Sequence, residues 1–108
     1  MAYRVDVLPR AARDLRTLYA YIGAQDSVQA RTWFNDLETL IDSLDEQPER
    51  GAITPEDHNL RQLLFGRKRT YRVIYSIDER GQVVSVLHIR HSAQDAFTAD
   101  ELASSEGP

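Results

Sequence analysis

Arg72 and Arg90 are the residues best placed to do chemistry, because each interrupts an apolar run, TYRVIYSI or VSVLHIRH, that reads as a strand. A guanidinium in that setting either pairs with a carboxylate or faces a groove, and its planar fork suits bidentate contact with carboxylate or phosphate. Helix acids such as Asp36 or Asp42 are the structural partners that the sequence offers. Arg61, Arg67, Lys68 and Arg69 precede Arg72, and the first acid after Leu60 is Asp78, so the segment is strongly basic. Arg67 to Arg69 also fit solvated hairpin residues that discourage edge pairing.

His91 follows Arg90 at the end of the last apolar run, where an imidazole could project into a cleft and act as a general acid. Glu56, beside Asp57 and His58, is the corresponding candidate for a base, although turn capping and loop solvation account for the same residues. His88 alternates with Val84 and Val86 and reads as a packed or surface histidine. None of the three histidines has a second ligand at helical spacing, so no metal site is expected. There is no glycine-rich phosphate loop, nucleophile elbow or dinucleotide fingerprint, and no cofactor is expected.

The elements that must position these residues follow from periodicity. Residues 3–8 alternate as a short strand, which Pro9 ends. Ala11, Ala12, Leu15, Leu18, Tyr19 and Ile22 then give an amphipathic helix to about Gly23. Asp26 or Ser27 can cap a second helix, whose stripe of Ala30, Trp33, Phe34, Leu37, Leu40, Ile41 and Leu44 runs to Gln47-Pro48. Tyr19, Tyr21, Trp33 and Phe34 carry much aromatic surface, which is core or, where exposed, a groove for a partner's helix or strand. Residues 48–59 read as a loop. Strands are expected over 60–65, 70–77 and 82–89, in hairpins through Gly66-Arg67-Lys68 and Asp78-Glu79-Arg80-Gly81. The expected class is α+β in the order β-α-α-β-β-β, an antiparallel sheet against a two-helix hairpin.

With 108 residues, 42% of them hydrophobic, one domain over 1–95 is expected, followed by an acidic tail over 96–108 that forms a short helix through Leu102 or stays loose. The absence of cysteine excludes disulfides and thiolate chemistry and suggests a reducing, cytoplasmic setting. No secretory signal or membrane span is legible. Charge is uneven: residues 1–60 hold 6 Lys/Arg against 11 Asp/Glu, 61–95 hold 7 against 3, and 96–108 hold none against 3. An acidic chain with one basic segment is not a general polyanion binder, so an anionic ligand must meet a local patch.

The opening LPRAARDLRTLYAYIG, the strand pair GRKRTYRVIYSID and the ending VLHIRHSAQD, taken together and in this order over residues 3–95, resemble the RelE/ParE superfamily of bacterial toxins. The resemblance implies the toxin of a type II toxin–antitoxin pair, with the same fold and a ParD-like or RelB-like antitoxin that wraps and silences it. ParE-like members inhibit DNA gyrase by binding, whereas RelE-like and YoeB-like members cleave mRNA on the ribosome. In the nuclease reading Arg72 steadies the scissile phosphate, His91 is the acid and Glu56 approximates the base. Lys68 is the one lysine, no tyrosine follows Tyr75, Ser92 comes after His91, and the chain is acidic. These features favour the ParE-like branch, with Arg61, Arg69, Arg72, Arg90, Tyr19 and Trp33 expected to meet antitoxin or target.

Overall fold

The alternation after Ala2 becomes strand β1 (Arg4–Val7), and Pro9, with its fixed φ and missing N–H, opens helix α1 (Pro9–Tyr21). Gly23, at φ +72°, takes the left-handed conformation that lets the chain turn back. Ser27 caps helix α2 (Val28–Asp42), its Oγ accepting a hydrogen bond from the Ala30 N–H at 3.1 Å. Two 3₁₀ turns, Ser43–Asp45 and Pro48–Arg50, lead into β2 (Ala52–Ile53), β3 (Arg61–Phe65), β4 (Tyr71–Asp78) and β5 (Val83–His91). This computed structural model describes residues 2–67 and 70–91; the tail and its expected short helix lie outside them.

The strands form one sheet in the order β1-β5-β4-β3-β2. The α+β class and the helical hairpin agree with the sequence, but the sheet is mixed: β1 runs parallel to β5, with Arg4 opposite Val83 and Val7 opposite Val86. Parallel neighbours need a long crossover, and here everything from α1 to β4 lies between the two strands. Strand β2 arises inside the expected loop. It is only two residues long, too short to leave an alternating pattern, and pairs Ala52 with Gln62 and Ile53 with Arg61.

Leu18, Phe34, Leu37, Ile41 and Leu44 pack on Val73, Tyr75, Val84, Val86 and Ile89 to make the main core on the helix side of the sheet. A smaller cluster, Leu60, Ile74 and Leu87 with Leu8, occupies the other side. A bulge lies beside it: Tyr75 faces Val86 and Ile74 faces His88, leaving Leu87 as the extra residue, and this shift brings Ile89 opposite Val73 and His91 opposite Tyr71.

The turn before β2 is tied to the sheet through Tyr75. Its buried hydroxyl donates to the Pro48 carbonyl at 2.7 Å and accepts from the Gly51 N–H at 3.0 Å. Burial raises the Tyr75 pKa above its ordinary value, outweighing the Gly51 hydrogen bond and the nearby Arg61 and Arg50 charges. Gly51 is required there, because a Cβ would overlap the Tyr75 hydroxyl and lie 2.6 Å from the Gln62 carbonyl oxygen. No helix among the described residues is long and apolar enough to cross a membrane.

Candidate functional site

Successive side chains of a strand point to opposite faces, so Tyr71 and Arg72 cannot share one. Tyr71, Val73 and Tyr75 face the helices, and Arg72 faces away, opposite Leu64 on β3 and Arg90 on β5. The Arg72 fork is engaged from two elements. Nη1 and Nη2 donate to the two Glu56 carboxylate oxygens at 2.9 and 2.7 Å, and Nε donates to Gln62 Oε1 at 2.8 Å. Only 13% of the Arg72 side chain and 11% of the Glu56 side chain remain exposed, so this ion pair is largely withdrawn from water.

Glu56 reaches the fork from a loop closed by its own hydrogen bonds. Thr54 N–H donates to the Leu60 carbonyl at 2.9 Å, the Thr54 hydroxyl donates to the Asp57 carbonyl at 2.8 Å, and Asp57 N–H returns to Thr54 Oγ1 at 3.1 Å. The Arg72 hydrogen bonds hold the Glu56 carboxyl below its ordinary pKa of 4.5 despite its burial, with help from its own backbone N–H and from the charges of Arg72 and Arg90. The buried Arg90 therefore belongs to the same charged face.

On the helix side, Asp14, Leu18, Tyr21, Tyr71, Ile89 and His91 line a cleft of about 520 Å³. The His91 ring meets Tyr71 edge-on at 5.1 Å, and Trp33 meets Tyr71 edge-on at 5.4 Å and Phe65 at a tilt at 5.1 Å. Burial, then the neighbouring Tyr21, raises the Tyr71 pKa. Asp14 fastens α1 to the sheet. Strand β1 covers β5 only through Val86, and past that point the Asp14 carboxylate accepts the Ile89 N–H at 3.1 Å. Its other oxygen accepts from Arg10 Nε at 3.2 Å, and His88 Nδ1 lies 4.0 Å away.

The structure thus brings Glu56, Arg72 and Arg90 together and puts His91 on the opposite face of the sheet. The ion pair of Arg72 is with the loop acid Glu56; Asp36 and Asp42 are exposed on α2. Glu56 is correspondingly a paired, largely buried carboxylate instead of a solvated loop residue. Arg61 donates through Nη1 to the carbonyls of Gly51 at 2.8 Å and Glu49 at 3.1 Å, which ties it to the turn before β2. Tyr19 is half-buried with its ring edge-on to Phe34 at 5.1 Å. Arg69 lies outside the described residues. His88 is fully buried, as a packed histidine would be. The roles of Gln62 and Asp14 were not read from the sequence, since a glutamine in a strand and an aspartate in an amphipathic helix are ordinary surface choices. Among the described residues no three His, Asp or Glu side chains converge to hold a metal ion.

Comparison with known proteins agrees with this architecture. The toxin–antitoxin complex RelBE2 from Mycobacterium tuberculosis contains a chain 26% identical to this one, covering 84% of this chain and 99% of that one with a TM-score of 0.60. In the chromosomal ParDE system of P. aeruginosa the identity is 20%, the coverage 83% and 96%, and the TM-score 0.68. A double-mutant E. coli toxin RelE in the free state is 21% identical over 97% of this chain and 94% of its own, with a TM-score of 0.62. None of the curated proteins compared with the chain matches it. The family described as ParE toxin of type II toxin–antitoxin system, parDE, matches residues 5–96, and the chain belongs to that family.

Proposed function

We propose that the protein is the toxin of a type II pair that acts by binding its target, with DNA gyrase favoured, and that it is silenced in a hetero-oligomer with a ParD-like or RelB-like antitoxin. The observation that carries this reading is the separation of the two groups that RNA cleavage would have to couple. A general base works best with a pKa near the operating pH and within reach of the same substrate as its acid. Glu56 is held on the low side by Arg72 and lies on one face of the sheet, while His91 lines the aromatic cleft on the other. The charged outer face suits binding: Arg72 and Arg90 lie across one strand pair and outnumber the Glu56 carboxylate there, which favours an acidic antitoxin segment. A groove of about 450 Å³ between α1 and α2, with Leu15, Tyr19 and Phe34 in its lining, offers apolar surface to an antitoxin helix. The solved complexes RelBE2 and ParDE pair similar chains with antitoxins, which supports the same kind of partner here.

Supercoiling by purified gyrase, with and without the protein, tests the reading beside a ribosome-dependent mRNA cleavage assay. Inhibition without cleavage supports it. A ladder of ribosomal cuts that disappears in Arg72→Ala or His91→Ala overturns it in favour of the endoribonuclease.

A further inference from the structure

A largely buried guanidinium whose fork already holds a carboxylate cannot meet a second anion unless the first one leaves. This is the situation of Arg72, bidentate to Glu56, with 13% and 11% of the two side chains exposed. The carboxylate is delivered by a loop that does not depend on the ion pair, since Thr54, Asp57 and Leu60 close it through their own hydrogen bonds. The Glu56 side chain can therefore swing out by rotation about its own bonds while the loop backbone stays in place. Gln62 would still hold Arg72 Nε at 2.8 Å and keep the fork aimed.

We propose that Glu56 is an internal stand-in for a carboxylate of an acidic partner segment: it occupies the Arg72 site in the free protein, and an incoming Asp or Glu side chain displaces it. The class of ligand follows from the occupant, because the fork is shaped around a planar carboxylate taken in bidentate geometry. Placing Arg90 directly across the strand pair makes the site doubly cationic, and the lowered pKa of Glu56 agrees with a carboxylate bound as a ligand is bound. The inference rests on the antitoxin reading above for the identity of the partner, but not for the competition itself. Removing the internal competitor should raise affinity for an external one by the inverse of the fraction of time that the wild-type site is open.

The test titrates the full chain with a capped decapeptide of alternating leucine and glutamate, with its leucine–glutamine counterpart, and with a single-stranded oligonucleotide of equal charge, following the Arg72 Nε–H resonance. Glu56→Gln should bind the glutamate peptide at least about tenfold more tightly than wild type, the gain for a site open about a tenth of the time or less. The glutamine peptide should gain nothing, and adding Arg72→Gln should abolish the gain. Glu56→Asp, which keeps the charge but is too short to fill the fork, should show a smaller gain and covers the case in which the glutamine variant does not fold. Equal or weaker peptide binding by the folded variants would overturn the proposal, since Glu56 would then be orienting Arg72. A gain for the oligonucleotide alone would overturn it too, by assigning the site to phosphate. Failure of wild type to inhibit gyrase or bind its antitoxin would sink the functional reading and leave the competition result standing.

Discussion

The two faces of the β4–β5 pair are made from adjacent residues and do different work. Tyr71 and His91 face the helices and join an aromatic cleft, while Arg72 and Arg90, one position along each strand, face away and hold an acidic loop. Arg90 and His91 are neighbours in the sequence, and the pleat sends them to opposite sides of a sheet. Adjacency along a strand is therefore evidence against a shared site. The helix-side cleft is held by packing and hydrogen bonds to backbone, the Arg72–Arg90 end of the outer face by charge, so the two should break differently.

The largest effect is expected on the outer face. Arg72→Ala leaves the Glu56 carboxylate nearly enclosed without its cation, and breaking a buried pair from one side costs about 3–5 kcal/mol. Urea unfolding should record that loss, and the double substitution Glu56→Gln/Arg72→Gln should recover most of it because no charge remains stranded. A cost below about 1 kcal/mol would mean that the pair behaves as a surface ion pair.

Next comes the helix-side anchor. Gly51→Ala pushes a methyl group against the Tyr75 hydroxyl and the Gln62 carbonyl oxygen, an overpacking cost of about 1–3 kcal/mol. Tyr75→Phe should lose less, about 1–2 kcal/mol, from the hydrogen bonds that tie Pro48 and Gly51 to the sheet. Neither loss should change with salt, in contrast to a defect on the charged face. Unfolding at low and high ionic strength separates the two cases.

Much of this was legible in the sequence, and the parts that were not share a cause. The helical periodicity of 11–22 and 30–44 and the alternation of the strands fixed the α+β order, because one-sided burial imposes those periods. A cap at Asp26 or Ser27, of which the structure uses Ser27, and Arg72 and Arg90 as unusual strand residues were also visible. The parallel pairing of β1 was not, since the pairing of two strands at opposite ends of the chain leaves no local mark. Nor was the partner of Arg72. Glu56 lies 16 residues away in a loop, where a carboxylate has many ordinary uses, and only the closure of Thr54 on Asp57 and Leu60 aims it at the sheet.

A smaller effect follows from acid. Glu56 has a folded pKa below its ordinary value of 4.5, so its contribution to stability is complete above that value and is lost as the pH falls through the folded one. The wild type should lose stability on acidification beyond any loss seen in Glu56→Gln. Thermal midpoints of the two proteins from pH 7 downward measure the difference, and parallel curves would show that Glu56 is not held by Arg72 in solution.

The smallest effect tests the comparison most directly. His91→Ala removes an edge-on partner of Tyr71 at the rim of the cleft, an interaction of about 0.5–1.5 kcal/mol. Because the sheet stands between His91 and Glu56, the double variant His91→Ala/Glu56→Gln should be destabilised by the sum of the single losses to within about 0.5 kcal/mol, as independent sites are. The same independence should hold for the proposed activity: if the toxin acts by binding, any inhibition of gyrase by the wild type should persist when His91 becomes alanine. A coupling energy clearly above 0.5 kcal/mol, or loss of activity in His91→Ala with stability intact, would join the two faces into one site and return His91 and Glu56 to a common reaction.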